Sequence, residues 1–321
     1  MAEKGRVCVT GAGGYVASWL VKLLLSRGYR VHGTVREPGD VKNAHLKKLD
    51  NALENLQLFK ADLLDCSSLL SAIAGCDGVF HVASPVPSGT VQNPEVEFIE
   101  PAVTGTLNVL KACSEIKVKR VVVVSSGAAV ALNPNWPENQ VMDETCWSDK
   151  EYCKEIKNYY CLSKTVAESE ACEYAKRSGL NLVTVCPTLV LGPMLQSALN
   201  ASSQILVRLL KDGSDSVNNR AWKIVDVRDV AEALLMVYEK PEAEGRYICT
   251  TYMAKSKDLV DKLSSLYPNY NYPKNFTEVD EGSKGFKLSS EKLQRLGWRY
   301  RPIEEILIDS VKSYQESGYL D

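Results

Sequence analysis

A short apolar run, Arg6–Thr10, passes directly into Gly11-Ala-Gly-Gly-Tyr-Val-Ala17 and then into the helical pattern Tyr15–Arg27. Small residues recur at Gly11, Gly14 and Ala17, three positions apart. Each answers one demand of a strand–turn–helix unit. The chain must reverse at the first, backbone must approach a bound group at the second, and helix must pack close on strand at the third, where a methyl still fits. The helix start then offers N–H groups and a partial positive charge to phosphates. An ordinary tight turn would not need three small residues in register. The unit predicts a dinucleotide site built on Gly11, Gly13, Gly14, Tyr15 and Val16.

The rest of the first two-thirds repeats the same alternation. Arg30–Val35, Leu56–Lys60, Gly78–Ala83, Arg120–Ser125 and Asn181–Cys186 read as Val-rich strands, apolar enough to be buried on both faces. Helical stretches lie between them, among them Glu95–Cys113 and Tyr160–Arg177. This predicts an α/β fold, a doubly wound parallel Rossmann sheet with strand ends aligned along one ligand-binding edge. Beyond residue 190 the pattern loosens, with helices near Ser202–Leu210, Ser256–Leu266 and Glu304–Ser317. Residues 191–221 and 250–321 are expected to form a smaller substrate lobe. Residues 1–190 with 222–249 form the cofactor domain, Lys223–Glu239 and Gly245–Cys249 returning to the main sheet.

Composition excludes several classes of function. The 321 residues are 45% apolar and 24% charged, with a net charge of -2, so no basic field points to nucleic acid or a membrane surface. The N-terminus lacks the apolar core of a secretory signal, and no apolar run approaches a bilayer span. Ten cysteines and three histidines make no zinc-ligand spacing, so no metal is expected. Reduced thiols in the cytoplasm and a monomer or weak dimer are the expectations. The triplets at Asn200 and Asn275 are read as chance matches to the glycosylation motif.

A chain that binds a dinucleotide needs a reacting group beside it. Tyr160 and Lys164 stand at i and i+4, on one face of a helix. A phenol titrates near 10, and a neighbouring ammonium and an oxidised nicotinamide are expected to lower that value toward the range of a general acid–base. Ser125 and Ser126 end a strand on the ligand edge; Ser126 is chosen to hold a substrate carbonyl, the other reading being a turn cap. Asn108 reads as a relay partner through water or as a buried structural amide. Where NAD-binding folds place an acid, this chain has Gly33-Thr-Val-Arg36. Arg36 and Lys42 could clamp a 2′-phosphate, which favours NADP(H) over NAD; two solvated cations are the alternative. Asp62 and Leu63 are placed to bracket adenine, and Val82, Ala83 and Ser84 to line the nicotinamide ribose.

With these residues in view, the chain resembles the extended short-chain dehydrogenase/reductases, and within them the plant cinnamoyl-CoA reductase and dihydroflavonol reductase group. The matching stretches are Val9-Thr-Gly-Ala-Gly-Gly-Tyr-Val-Ala-Ser-Trp19, Gly33–Arg36, Lys42-Asn-Ala-His-Leu46, His81-Val-Ala-Ser-Pro85, Asp143-Glu-Thr-Cys-Trp-Ser-Asp149 and Leu189-Val-Leu-Gly-Pro193. The resemblance implies Ser126, Tyr160 and Lys164 as catalytic triad and Arg36 with Lys42 as NADP(H) selector. It also implies Pro187, Thr188, Leu189 and Val190 beside the nicotinamide. Cys153 and Cys161 recur in the group; a redox pair is one reading and buried thiols the other.

The chain also departs from that group. Around the tyrosine it reads Lys157-Asn-Tyr-Tyr-Cys-Leu-Ser-Lys164, where the resemblance implies Lys-Asn-Trp-Tyr-Cys-Tyr-Gly-Lys. The His, Lys and Arg that read the CoA substrate fall at Ile205, Arg208 and Ser256, leaving one cation for a polyanionic thioester. The expectation is an NADPH-dependent reductase of cinnamaldehyde-type aromatic aldehydes to alcohols, the cinnamyl alcohol dehydrogenase branch. Cinnamoyl-CoA reductase and a dihydroflavonol-type ketone reductase are the alternatives. A cofactor sensor would not need the triad, and an epimerase would retain NAD, which Arg36 disfavours.

Overall fold

The computed structural model describes residues 4–84, 93–137, 139–211, 213–278 and 287–321. Seven parallel strands form the main sheet: β1 Lys4–Val9, β2 Tyr29–Val35, β3 Leu56–Lys60, β4 Gly78–His81, β5 Arg120–Val124, β6 Leu182–Pro187 and β10 Gly245–Cys249. Their order is β10-β6-β5-β4-β1-β2-β3. Strand order reverses between β1 and β4, and the crevice beyond their carboxyl ends is where such sheets bind ligands.

The strands alternate between two cores, as their pleat requires. Val7 and Val9 of β1 join one core with Leu20, Leu24, Val230 and Leu234, from the helices Tyr15–Ser26 and Val227–Glu239. Cys8 points the other way, into a core with Leu69, Val109, Leu110 and Ala171. Those residues come from the helices Cys66–Ile73, Glu100–Ile116 and Tyr159–Ser178. Burial on both faces explains why the run carries no polar alternation.

The C-terminal segment adds two small sheets. β7 Leu189–Leu191, β9 Ala221–Asp226 and β11 Tyr252–Lys255 make a three-stranded sheet with β9 in the middle. β8 Ser216–Asn218 pairs with β12 Asn275–Thr277. Gly245–Cys249 does return to the main sheet, beside β6. Residues 223–226 do not: they lie in β9, parallel to β7 and antiparallel to β11, because that strand serves the wall of the crevice rather than its floor. The segment after β7 is pinned from both sides. Tyr15 Oη donates to Gly192 O at 2.9 Å and Trp19 Nε1 to Pro193 O at 2.8 Å. From the last helix, Ile303–Glu316, Ser310 Oγ and Ser313 Oγ accept from Gly192 N and Met194 N, each at 2.8 Å.

The expected helix Glu95–Cys113 is split into a π-turn over Glu95–Ile99 and an α-helix over Glu100–Ile116. Pro101 explains the break: it has no N–H for an i→i−4 bond at the helix start. Among the described residues no helix is long and apolar enough to cross a membrane.

Candidate active site

A crevice of about 1400 Å³ runs along the carboxyl edge of the main sheet. Its floor at one end is the glycine turn. Gly11 has φ +65°, a conformation that disfavours any side chain, and a Cβ there would come within 2.9 Å of Ala83 Cβ. The turn is tied to both neighbouring strands: Thr10 N donates to Phe80 O of β4 at 3.0 Å, while Gly11 N donates to Thr34 Oγ1 at 3.1 Å and Ala12 N to Thr34 O at 2.9 Å, both on β2. Gly14 caps the helix Tyr15–Ser26 with no side chain over its N–H groups and no acid in its first turn. Uncapped N–H groups in an open crevice fit a pyrophosphate. A Gly11→Ala variant combines left-handed strain with this contact, and is expected to lose roughly 2 kcal/mol of stability. The check is the urea midpoint at constant m-value; an unchanged midpoint would show that the turn does not need its glycine.

Of the residues expected to hold the cofactor, Gly11, Gly13, Gly14, Tyr15, Val16, Arg36, Lys42, Asp62, Leu63, Val82, Ala83, Ser84, Tyr160, Thr188, Leu189 and Val190 all line the crevice. Two do not. Pro187 is buried within β6, because its position still belongs to the strand. Lys164 is buried beneath the wall and reaches it through Ser84, whose Oγ accepts from Nζ at 2.8 Å. Pro85 of the quoted His81–Pro85 stretch lies outside the described residues. Arg36 is exposed at the crevice rim. Lys42 is ion-paired with Asp40 at 2.7 Å. The acid next to Arg36, Glu37, is paired with Lys60 at 3.1 Å.

At the other end, Tyr160 Oη donates to Ser126 Oγ at 3.4 Å. Ser126 Oγ also accepts from Ala128 N at 3.1 Å, so its own hydrogen remains for a third group. Ser125 faces away, bonding Glu168 Oε2 at 2.7 Å behind the sheet. Tyr160 is 42% exposed, into the crevice, and its ring stacks on Phe98 at 6.3 Å with 23° between planes. Nothing in the composition marked Phe98; the π-turn carries it there.

The protein groups alone do not give the phenol the downward shift expected from an ammonium and an oxidised nicotinamide together. Burial raises its titration point instead, and the Ser126 hydrogen bond opposes that only in part. The ammonium is itself the strongly shifted group: burial brings Lys164 down to about 8, against an upward pull from Glu168. Asn108 takes the structural role, its Nδ2 donating to Leu63 O at 3.0 Å and so bracing the segment after β3. Cys153 and Cys161 are free thiols in one apolar cluster with Leu162, and burial pushes Cys161 up to about 12.

Residues 7–249 match the model of the NAD dependent epimerase/dehydratase family. The chain belongs to that family. It is 49% identical to cinnamoyl-CoA reductase 1 of Petunia hybrida, over 98% of this chain and 93% of that protein. Among solved structures, vestitone reductase from alfalfa superposes with a TM-score of 0.84 at 34% identity, covering 99% of this chain and 100% of that one. Gre2 from Candida albicans in complex with NADPH gives 0.83 at 28% identity, covering 98% and 99%. This family member is an NAD(P)-dependent oxidoreductase of the extended short-chain dehydrogenase/reductase type.

The substrate end of this epimerase/dehydratase-family crevice is walled by Ala128, Ala131, Leu132, Ile205, Trp222 and Leu288. Of the three positions expected to read a CoA group, only Ile205 lines it. Ser256 is buried behind Trp222, accepting from its indole Nε1 at 3.0 Å, and Arg208 lies outside the lining. The crevice is also lined by two cations that the sequence did not single out: Lys223, in the stretch expected to join the main sheet, and Arg220, in the expected substrate lobe. Also missed was the buried clamp that shapes the nicotinamide end. Thr10 Oγ1 accepts from Val82 N and Ala83 N, each at 3.0 Å, and meets His81 Nδ1 at 2.9 Å.

Proposed function

We propose that this protein is an NADPH-dependent reductase of cinnamaldehyde-type aromatic aldehydes, forming the corresponding alcohols. The observation that carries the reading is the Ser126–Tyr160 hydroxyl pair in a crevice lined mostly, though not wholly, by apolar side chains. Such a lining accepts an aromatic ring, and the hydroxyl pair is then a polar point for its carbonyl oxygen.

When bound, NADPH supplies the hydride that becomes the new C–H bond of the alcohol. The glycine turn holds its phosphates, Arg36 and Lys42 its 2′-phosphate, Asp62 and Leu63 its adenine, and Lys164 with Ser84 its nicotinamide ribose. Ser126 gives its free hydrogen to the carbonyl oxygen and fixes that atom beside Tyr160. The phenol, protonated at neutral pH as phenols ordinarily are, then delivers its proton to the same oxygen. The Lys164 charge favours the phenolate left behind, and supplies most at the moment that charge develops.

Cinnamoyl-CoA reduction is the second reading, favoured by the names of relatives near half identity and by Arg220 and Lys223 at the crevice wall. Steady-state comparison of cinnamaldehyde with cinnamoyl-CoA separates the two. The aldehyde is expected to have the higher kcat/KM, by about tenfold or more, because Ile205 and the buried Ser256 offer no charge to a thioester's phosphates. A preference for the thioester would reverse the assignment while leaving the hydride and proton roles in place.

A further inference from the structure

Glu168 lies one turn beyond Lys164 on the same face of the helix Tyr159–Ser178, and only 1% of it is exposed. Every side of its carboxylate is occupied. Oε2 accepts from Ser125 Oγ at 2.7 Å and from Arg246 Nη2 at 3.2 Å; Oε1 accepts from Thr184 Oγ1 at 2.6 Å and from Arg246 Nε at 2.9 Å. Arg246 in turn donates to Cys146 O at 2.7 Å and to Ala129 O at 3.4 Å, and its guanidinium sits 3.5 Å over the Trp147 ring. One ion pair therefore joins the catalytic helix, the end of β5 and the loop that follows Ser126.

Beside Glu168, toward the active site, lies a small pocket of about 20 Å³ whose polar lining is Lys164, Glu168, Ser125, His81, Ser84 and Thr106. That volume and those polar walls suit one water molecule. His81 adds no charge to it. Thr10 Oγ1 already receives two backbone N–H groups, so its hydrogen goes to His81 Nδ1, and His81 Nε2–H faces Thr106 Oγ1 at 3.2 Å. Burial brings the imidazole down to about 3, so it is neutral.

Buried ion pairs of this kind bring little net stability over an apolar replacement of the same shape. Their position explains more than their energy here. We propose that Glu168 and Arg246 are positioning residues for the reduction: across this small space the Glu168 charge holds the Lys164 ammonium in place, and through Ser125 its carboxylate fixes the strand end that presents Ser126. Arg246 balances the charge and anchors the loop beyond. The proposal rests on the assignment of Lys164 and Tyr160 under the proposed function.

The opposite charges of the pair give the test its sign. Glu168 and Cys186 on β6 both favour the Lys164 ammonium, Tyr160 lies one turn before it on the same helix, and His81 at the end of β4 is neutral; Arg246 on β10 offsets the Glu168 charge through their ion pair, and Cys172 adjoins Glu168. Burial keeps both thiols protonated, and the helix Glu100–Ile116 contributes only Ala102 and Thr106 to this space, neither of them charged. Activity that needs the ammonium falls as pH rises through the Lys164 titration. Glu168→Gln removes the favourable charge, so the alkaline limb of kcat/KM for cinnamaldehyde reduction is expected about one to two pH units lower. Arg246→Gln removes the unfavourable charge, and the limb is expected to move upward. A purely structural pair would lower the melting temperature in both variants and leave the limb unmoved, or move it the same way in both; either result overturns the proposal. Where the neutral variants do not fold, Glu168→Asp and Arg246→Lys decide. A limb at the wild-type position with reduced kcat supports positioning, and unchanged kcat in both removes it. An active Tyr160→Phe enzyme would instead count against the proposed function, whichever way the limbs move.

Discussion

Replacing Tyr160 by phenylalanine is expected to lower kcat for aldehyde reduction about 10³-fold while leaving the fold and the affinity for NADPH nearly unchanged. Only the hydroxyl is lost. The ring keeps its stacking on Phe98, and the surrendered hydrogen bond to Ser126 is long at 3.4 Å, so little stability depends on it. A group that acts only as the carbonyl oxygen takes up its proton lowers kcat and kcat/KM together when removed. Single-turnover reduction with saturating NADPH measures that step directly. Retention of more than about a tenth of the wild-type rate would place the proton donor elsewhere, with Ser126 or a water as the remaining candidates.

The parts of this molecule that were legible from residues alone are those whose physics is local. Val7-Cys8-Val9 is buried on both faces, so its unbroken apolar character announced a central parallel strand. Gly11 needed φ +65° and Ala17 close packing, and both demands show as missing side-chain bulk. The tyrosine–lysine spacing fixed a shared helix face. Strand ends were less sharp; β4 stops at His81 because the Thr10 clamp takes over the backbone N–H groups of Val82 and Ala83.

What remained hidden depends on partners far apart in the chain. Burial of Lys164 by β4, β5 and β6 decides that its ammonium, rather than the phenol, is the group brought toward neutrality. The Glu168–Arg246 pair joins residues 78 positions apart, and neither position carries a motif of its own. The short β7, only three residues long, gave no period to read, so its pairing with β9 and the resulting place of Arg220 and Lys223 in the crevice wall were not foreseeable. That part of the crevice wall is built from such distant pairings, which is why the fold could be read from the chain more readily than the lining of the crevice.

Cofactor choice is the other property with a large expected effect, and it turns on Arg36. Four charged side chains near the end of β2 are already committed in two ion pairs: Glu37 with Lys60, and Lys42 with Asp40. Asp40 also accepts from Lys42 N at 2.9 Å, so that turn holds its own counter-charge. Arg36, exposed at the rim, has the planar fork that matches a phosphate with two hydrogen bonds. Each hydrogen bond to a charged group contributes about 1.5–3 kcal/mol, and every 1.4 kcal/mol is about a tenfold change in affinity. Arg36→Ala is therefore expected to raise KM for NADPH about 100-fold, with KM for NADH within about threefold of wild type and kcat unchanged. Lys42→Ala should cost NADPH only about tenfold, since Asp40 already offsets that charge. Initial rates with each coenzyme at saturating aldehyde give both ratios. If Arg36→Ala weakened NADPH and NADH equally, the guanidinium would be holding the shared part of the dinucleotide, and the preference for NADP(H) would have to arise from some other contact.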